Sequence, residues 1–240
     1  MMKNKILFGD TWISIDDVIK IANEKIPVEL NDDPNYINKI NKGVKFLEDT
    51  LAEDGVIYGV TTGFGDSCTR DVPAHLVKEL PLHLTRFHGC GMGRHFTHDQ
   101  ARAMMAVRLC SLAKGVSGVS LDLMQQMINM LNSDIAPVIP EEGSVGASGD
   151  LTPLSYIAAA LIGERTVTYQ NEIRETADVF KSLDIKPITL KPKEGLALMN
   201  GTAAMTGIAC EAFHRTSYLC KLAARLTAMA SIALKGNSFH

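Results

Sequence analysis

Residues 143–158 read GSVGASGDLTPLSYIA. Gly143, Gly146 and Gly149 crowd a short loop, and an apolar run with Pro153 near its head follows. Glycine allows a tight turn there, and proline suits the first turn of the helix that the apolar run predicts. A glycine loop before a helix can cradle phosphate. No Lys follows in the manner of a P-loop, however, and there is no GxGxxG. The central tripeptide, Ala147-Ser148-Gly149, has a chemistry of its own. The Gly149 nitrogen can attack the Ala147 carbonyl, closing a five-membered ring with loss of water. Loss of the Ser148 hydroxyl then leaves an exocyclic methylene, an electrophile that no ordinary side chain supplies. Gly149 lets its nitrogen approach a carbonyl, Ala147 leaves that carbonyl open, and Ser148 carries the hydroxyl to be eliminated.

Outward from this loop the chain reads as mostly helical. Ser14 opens one helix, with Asp17 at the capping-box position. Apolar residues at helical spacing predict helices over 35–53, 74–87, 98–114 and 120–132. Thr97 caps the third of these, with Gln100 at the box position. The Met-rich pattern of 120–132 is that of core packing. Thr166-Val167-Thr168-Tyr169 and Ile173-Arg174 flank Gln170-Asn171-Glu172, which predicts a small hairpin. Residues 175–195, with Pro187 and Pro192, read as irregular. A long helix over roughly 203–235 closes the sequence, apolar around most of its circumference yet interrupted by Glu211, Arg215, Lys221, Arg225 and Lys235. Those charges exclude a membrane span, and an apolar helix of this kind needs covering on most sides.

Four segments carry a family resemblance. GSVGASGDLTPLSYIA resembles the cofactor-forming loop of the aromatic amino acid ammonia-lyases and aminomutases. Residues 57–65, IYGVTTGFG, resemble the family's tyrosine loop. Residues 88–93, HGCGMG, resemble its substrate-selectivity segment, and residues 197–202, ALMNGT, resemble its asparagine loop. The motifs fall in the family's order, and the resemblance covers nearly the whole chain while matching only about the first half of a family member. It implies a mainly α fold: an N-terminal cofactor-bearing domain over 1–202 with a small β-hairpin, then the start of a long-helix bundle over 203–240.

The resemblance also implies chemistry. Ala147, Ser148 and Gly149 would form 4-methylidene-imidazol-5-one. Tyr58 is the candidate base for the β-proton, in a Gly-rich turn that can aim a phenol into a cleft; it would need neighbours that favour phenolate, and a tyrosine packed with its hydroxyl hydrogen-bonded is the alternative. Asn200 could aim its amide donor at the imidazolone oxygen; an ordinary turn residue before Gly201 is the alternative. Phe87, His88 and Gly65 are the candidate substrate-binding residues. Histidine lyases pair Ser-His at the selectivity position, phenylalanine lyases Phe-Leu and tyrosine lyases His-Leu. Phe87-His88 matches none of these. His88 points to L-histidine, converted to urocanate and ammonia; a tyrosine or phenylalanine lyase, or an aminomutase, is the alternative. Family members act as homotetramers and draw a second tyrosine, a carboxylate-binding arginine and a glutamate from beyond the matched region, so this chain by itself is expected to be inactive or a folded, non-catalytic fragment.

Bulk properties bound the rest. With 24 Lys+Arg against 27 Asp+Glu, the formal net charge of −3 gives no pull toward nucleic acid. Hydrophobic content of 46% with 21% charged residues is globular. Five cysteines, an odd number without a CxxC, favour a reducing, cytoplasmic setting. The first residues lack the apolar core of a signal peptide. His83 and His88, or His95 and His98, lack the Cys or carboxylate partners of a metal site, so no metal is expected.

Overall fold

The structure is a computed structural model and describes residues 5–53, 55–237 and 239. Strand β1 (Ile6–Phe8), helix α1 (Ile15–Asn23) and strand β2 (Val28–Leu30) open the chain, with β1 and β2 paired in parallel. The capping box at the start of α1 is complete: Asp17 N–H donates to Ser14 Oγ (3.2 Å) and Ser14 N–H to Asp17 Oδ2 (3.0 Å). Helix α2 (Pro34–Ala52) follows, capped by Asp33. A 3-10 turn at Gly65–Thr69 leads to α3 (Leu80–His88).

The helix expected over 74–87 thus begins only at Leu80. Pro81 explains the delay: it lacks an N–H and is tolerated only in the first turn, which is where it sits. Strand β3 (Met92–His95) then leads into α4 (His98–Leu112), whose Thr97–Gln100 capping box is also complete. After α5 (Leu121–Asn132) come β4 (Ala136–Pro137) and β5 (Pro140–Glu142), and β5 pairs antiparallel with β3.

The loop read first enters α6 (Leu151–Leu161), buried along nearly its whole length. The expected hairpin is β6 (Thr166–Tyr169) and β7 (Glu172–Glu175), with β4 adding a third strand. Gln170 and Asn171 both take positive φ, +53° and +63°, as a two-residue type I′ turn requires; Glu172 therefore joins the strand. Residues 175–195 are not irregular throughout. They hold α7 (Thr176–Ser182), which buries Val179 and Phe180, and the start of α8 (Glu194–Met199). The two prolines confine the break to the stretch between these helices. Helix α9 (Ala203–Ala233) ends the ordered elements.

The larger core cluster is centred on α4, α5 and α6, where Met104, Met105, Leu109, Leu123, Met124 and Leu154 are fully buried, and a smaller one joins Val18, Ile19 and Ala22 of α1 to Ala103 of α4 and Cys210 of α9. Helix α9 packs along α4 only at its start, burying Ala203, Ala204, Gly207, Cys210 and Glu211. At Gly207 the two backbones meet: an added Cβ would lie 2.8 Å from the Met104 nitrogen. Beyond Glu211 the helix is bare, and Phe213, Leu219, Leu226 and Met229 are all more than half exposed. No helix among the described residues is long and apolar enough to cross a membrane.

Candidate active site

The loop at 143–149 is bent as its sequence demands, and further. Gly146 has φ +66° and Gly149 φ +106°. Ser148 also lies in the left-handed region, at φ +72°, a conformation that costs a non-glycine residue about 1–3 kcal/mol and persists only where the surroundings enforce it. Residues 141–148 are exposed at the surface, whereas Asp150 is buried.

What holds the loop is the asparagine turn. A Cβ on Gly149 would lie 2.6 Å from the Gly201 nitrogen and 3.3 Å from the Asn200 carbonyl carbon, so only glycine fits. Asp150 N–H donates to the Gly201 carbonyl at 2.7 Å. The Asp150 carboxylate accepts from Ser144 Oγ (2.8 Å) on one oxygen and from the Met205 N–H (2.8 Å) on the other. Met205 lies in the first turn of α9, where backbone N–H groups lack intrahelical partners and the helix dipole favours a carboxylate. Asp150 therefore ties the cofactor-type loop to the start of the long helix. Sequence reasoning left it without a role, because Gly201 and Met205, which it binds, lie some fifty residues away.

Asn200 follows α8 directly as its C-terminal cap residue. Beneath it lies Arg108 of α4, 5% exposed. Its Nη2 donates to the Ala197 carbonyl in the last turn of α8, and Nη1 presses on Gly201 where a side chain would otherwise stand. Arg108 Nε is buried without a hydrogen-bond partner, and no carboxylate among the described residues forms an ion pair with the guanidinium. Burial lowers its pKa to about 10. This residue also escaped the sequence reading, since an arginine in a helix reads as solvated until its neighbours are known.

The tyrosine turn docks on the same small helix. A Cβ on Gly59 would lie 2.8 Å from Leu196 Cδ2 of α8, which is why positive-φ glycine stands there (+68°). Tyr58 is half exposed, and its hydroxyl oxygen accepts from the Gly65 N–H at 2.9 Å. Its ring meets Phe64 edge-on, with centroids 6.3 Å apart. Gly65 has φ +56° and open space where a Cβ would be. Tyr58 lines a cleft of about 530 Å³ with Phe46, Leu47, Val56 and Val116. Ser144, Gly146 and Asp150 line a different one of about 360 Å³, with Met205 and Ile208 of α9. The two motifs are thus joined through α8, while each faces a cleft of its own.

The selectivity segment borders the loop from the other side. Gly143 takes φ +154°, and a Cβ there would lie 3.4 Å from Gly91 Cα. Gly91 N–H donates to Tyr156 Oη (3.1 Å), and Arg165 stacks on that ring at 4.4 Å while donating to the Gly89 carbonyl (2.9 Å). His88 Nδ1 bonds the Leu84 carbonyl at 3.0 Å; a carbonyl only accepts, so Nδ1 carries a proton and Nε2 is the ring nitrogen left to meet another partner. Phe87 is 79% exposed and meets His88 edge-on.

The residues present suit the imidazolone that the sequence implies. Ser148 and Gly149 both take positive φ, the glycine has no room for a side chain, and the asparagine turn lies directly against it. No group of three or more His, Cys, Asp or Glu that could hold a metal ion occurs among the described residues.

The helical domain thus presses a loop with a left-handed Ser148 against the asparagine turn. Residues 13–240 match the family described as aromatic amino acid lyase, and the chain belongs to that family. It is 38% identical over 93% of its length to the histidine ammonia-lyase of Shouchella clausii (strain KSM-K16), covering 44% of that protein. It is 42% identical over 90% of its length to the tyrosine 2,3-aminomutase of Chondromyces crocatus, covering 40% of it. The crystal structure of histidine ammonia-lyase from Trypanosoma cruzi superposes with a TM-score of 0.87 at 30% identity, over 98% of this chain and 45% of that one. The chain spans less than half the length of the relatives it matches.

Proposed function

We propose that the complete protein containing this chain deaminates an aromatic L-amino acid without oxidation, with L-histidine, giving urocanate and ammonia, as the substrate. The observation that carries this reading is the left-handed Ser148 held with Gly149 against Asn200-Gly201. Once cyclised, Ala147-Ser148-Gly149 supplies an electrophile that labilises the amino group. Asn200 offers an amide donor beside the loop. Tyr58 is assigned the β-proton, a role that requires its own phenol proton to be passed on first; the Gly65 N–H already donates to its oxygen at 2.9 Å. His88 and Phe87 are assigned to the substrate ring, with Gly65 leaving room for ligand beside Tyr58. With Nδ1 donating to Leu84, Nε2 is the ring nitrogen left to act as acceptor toward an imidazole N–H.

The same acceptor suits a phenol O–H, and the likeness to a tyrosine 2,3-aminomutase favours tyrosine as the second reading. In the first reading residues 1–202 form the cofactor-bearing domain, residues 203–240 begin the helical bundle, and the complete protein is a cytoplasmic homotetramer. The bare face of α9 supports this, since other parts of the assembly would cover it.

The test is intact mass together with turnover. Cyclisation removes two waters, about 36 Da by stoichiometry. The complete protein should show that loss, and Ser148→Ala should abolish both the loss and all deamination while melting as the parent does. Normal turnover by a folded Ser148→Ala enzyme would overturn the assignment. Assays of histidine, tyrosine and phenylalanine in parallel decide between the two substrate readings.

A further inference from the structure

Arg108 stands out among the buried groups because its fold-level contacts do not account for it. A buried cation is retained where it is paired or fully hydrogen-bonded, or where a site uses it. Arg108 is not fully bonded. One of its nitrogens reaches the Ala197 carbonyl, Nε has no partner, and no carboxylate pairs with it among the described residues. The carboxylates of the neighbouring elements do not pair with it. Glu194 accepts from Ser120 and from the Lys191 N–H, and Asp150 from Ser144 and Met205; Glu211 approaches Arg215 at 3.7 Å through Oε2, while its Oε1 is buried without a hydrogen-bond partner.

Its position is more informative than its bonding. The guanidinium lies against Gly201, and so do Gly149 and Asp150. The sequence is therefore guanidinium, asparagine turn, cofactor-type loop, in direct contact at each step. The Ala197 carbonyl is one of the last in α8, where carbonyls lack intrahelical donors and a cation is favoured. Fixing it fixes the residue at which α8 stops, and so the direction in which Asn200 leaves.

We propose that Arg108 is a positioning residue of this site: it sets the end of α8 so that Asn200-Gly201 bears on Gly149 and keeps the Ala147-Ser148-Gly149 loop compressed for closure. The proposal rests on the lyase reading given above. Ring closure needs a nitrogen brought onto a carbonyl, and displacements of about an ångström in such geometry cost on the order of 100-fold in rate.

The experiment compares Arg108→Met and Arg108→Lys with the parent, all as the complete protein. Arg108→Met keeps the length of the side chain and removes the fork. It should melt cooperatively, retain undehydrated chains in its intact-mass spectrum, and lose about 100-fold in kcat with little change in KM. Amide exchange at Asn200 and Gly201 should accelerate ahead of global unfolding. Lysine supplies a point charge without the planar fork, so Arg108→Lys should recover only part of the dehydrated mass. Complete dehydration in Arg108→Met with kcat within about threefold of the parent would overturn the proposal. So would loss of cooperative melting in both variants, which would make the arginine merely structural. A parent with neither the dehydrated mass nor deamination would instead sink the lyase reading; unchanged exchange at Asn200 and Gly201 in Arg108→Met would then still refute the role of the arginine.

Discussion

Helix α4 buries an arginine near each end, and the two ends are built differently. Arg102, 1% exposed, uses its whole fork: Nε donates to Ala22 O (3.2 Å), Nη1 to Leu131 O (2.8 Å) and Nη2 to Ile21 O (2.7 Å), with Asp134 Oδ1 at 3.2 Å from Nη1. It caps the last turns of α1 and α5 together, which is where a cation is favoured. Asp134 in turn bonds Lys25 and His98. Burial by itself would raise the Asp134 carboxyl, but those bonds and the neighbouring cations bring it below its ordinary value. Arg108 at the other end reaches one carbonyl and leaves a donor unused beside the candidate site. A saturated buried cation marks scaffold. An unsaturated one, wedged under a turn that a strained loop leans on, marks a place where the fold retains a cost for another purpose.

Three measurements break or sharpen this contrast. The largest effect is expected from Arg102→Met, which strands the carbonyls of Ile21, Ala22 and Leu131 and removes one of the three basic groups around Asp134. Denaturant unfolding should report a loss of about 3–5 kcal/mol. A loss below about 1 kcal/mol would show that the two ends of α4 are not different in kind. Next comes Gly207→Ala, where the new methyl meets the Met104 backbone and neither helix can yield cheaply. The expected cost is about 1–3 kcal/mol by the same assay, and an unchanged midpoint would mean that the contact between α4 and α9 is looser than its geometry implies. The smallest effect on stability should come from Leu226→Ser with Met229→Ser on the bare part of α9. Each should stay within about 0.5 kcal/mol of the parent in the 240-residue chain. Sedimentation should nevertheless show weaker self-association, because these residues are exposed only while nothing covers them. Sedimentation identical to the parent would remove this face from any interface.

Much of the fold was legible because it is written in local codes. Capping boxes at Ser14–Asp17 and Thr97–Gln100 depend on residues three apart, and both form. The hairpin at 166–175 depends on a two-residue turn between alternating strands. Reading failed where a local rule was applied too coarsely. Pro81 delayed α3, and the prolines at 187 and 192 break only the stretch between α7 and α8. The short strands β1 to β5 carry almost no periodic signal, being two to four residues long. In the candidate site the four motif segments were legible from their residues and their order along the chain, which carried the family resemblance. Asp150 and Arg108 were not, because a carboxylate or a guanidinium looks solvated until its neighbours are known.

The sequence by itself determined the chemistry on offer: a tripeptide able to cyclise, a tyrosine and an asparagine each set in a glycine turn, and a helix too apolar to stand alone. Those properties reside in residue types and short spacings. Only the tertiary structure decided that Gly149 lies on Gly201, that Leu196 carries the tyrosine turn to the same small helix, and that Arg108 lies beneath them. It also decided that Tyr58 and the loop at 143–150 face separate clefts in this chain. The physical reason is contact between segments far apart in the chain. Such contacts are set by which helices pack together, and packing sums many weak and individually unspecific terms, so no single motif encodes it.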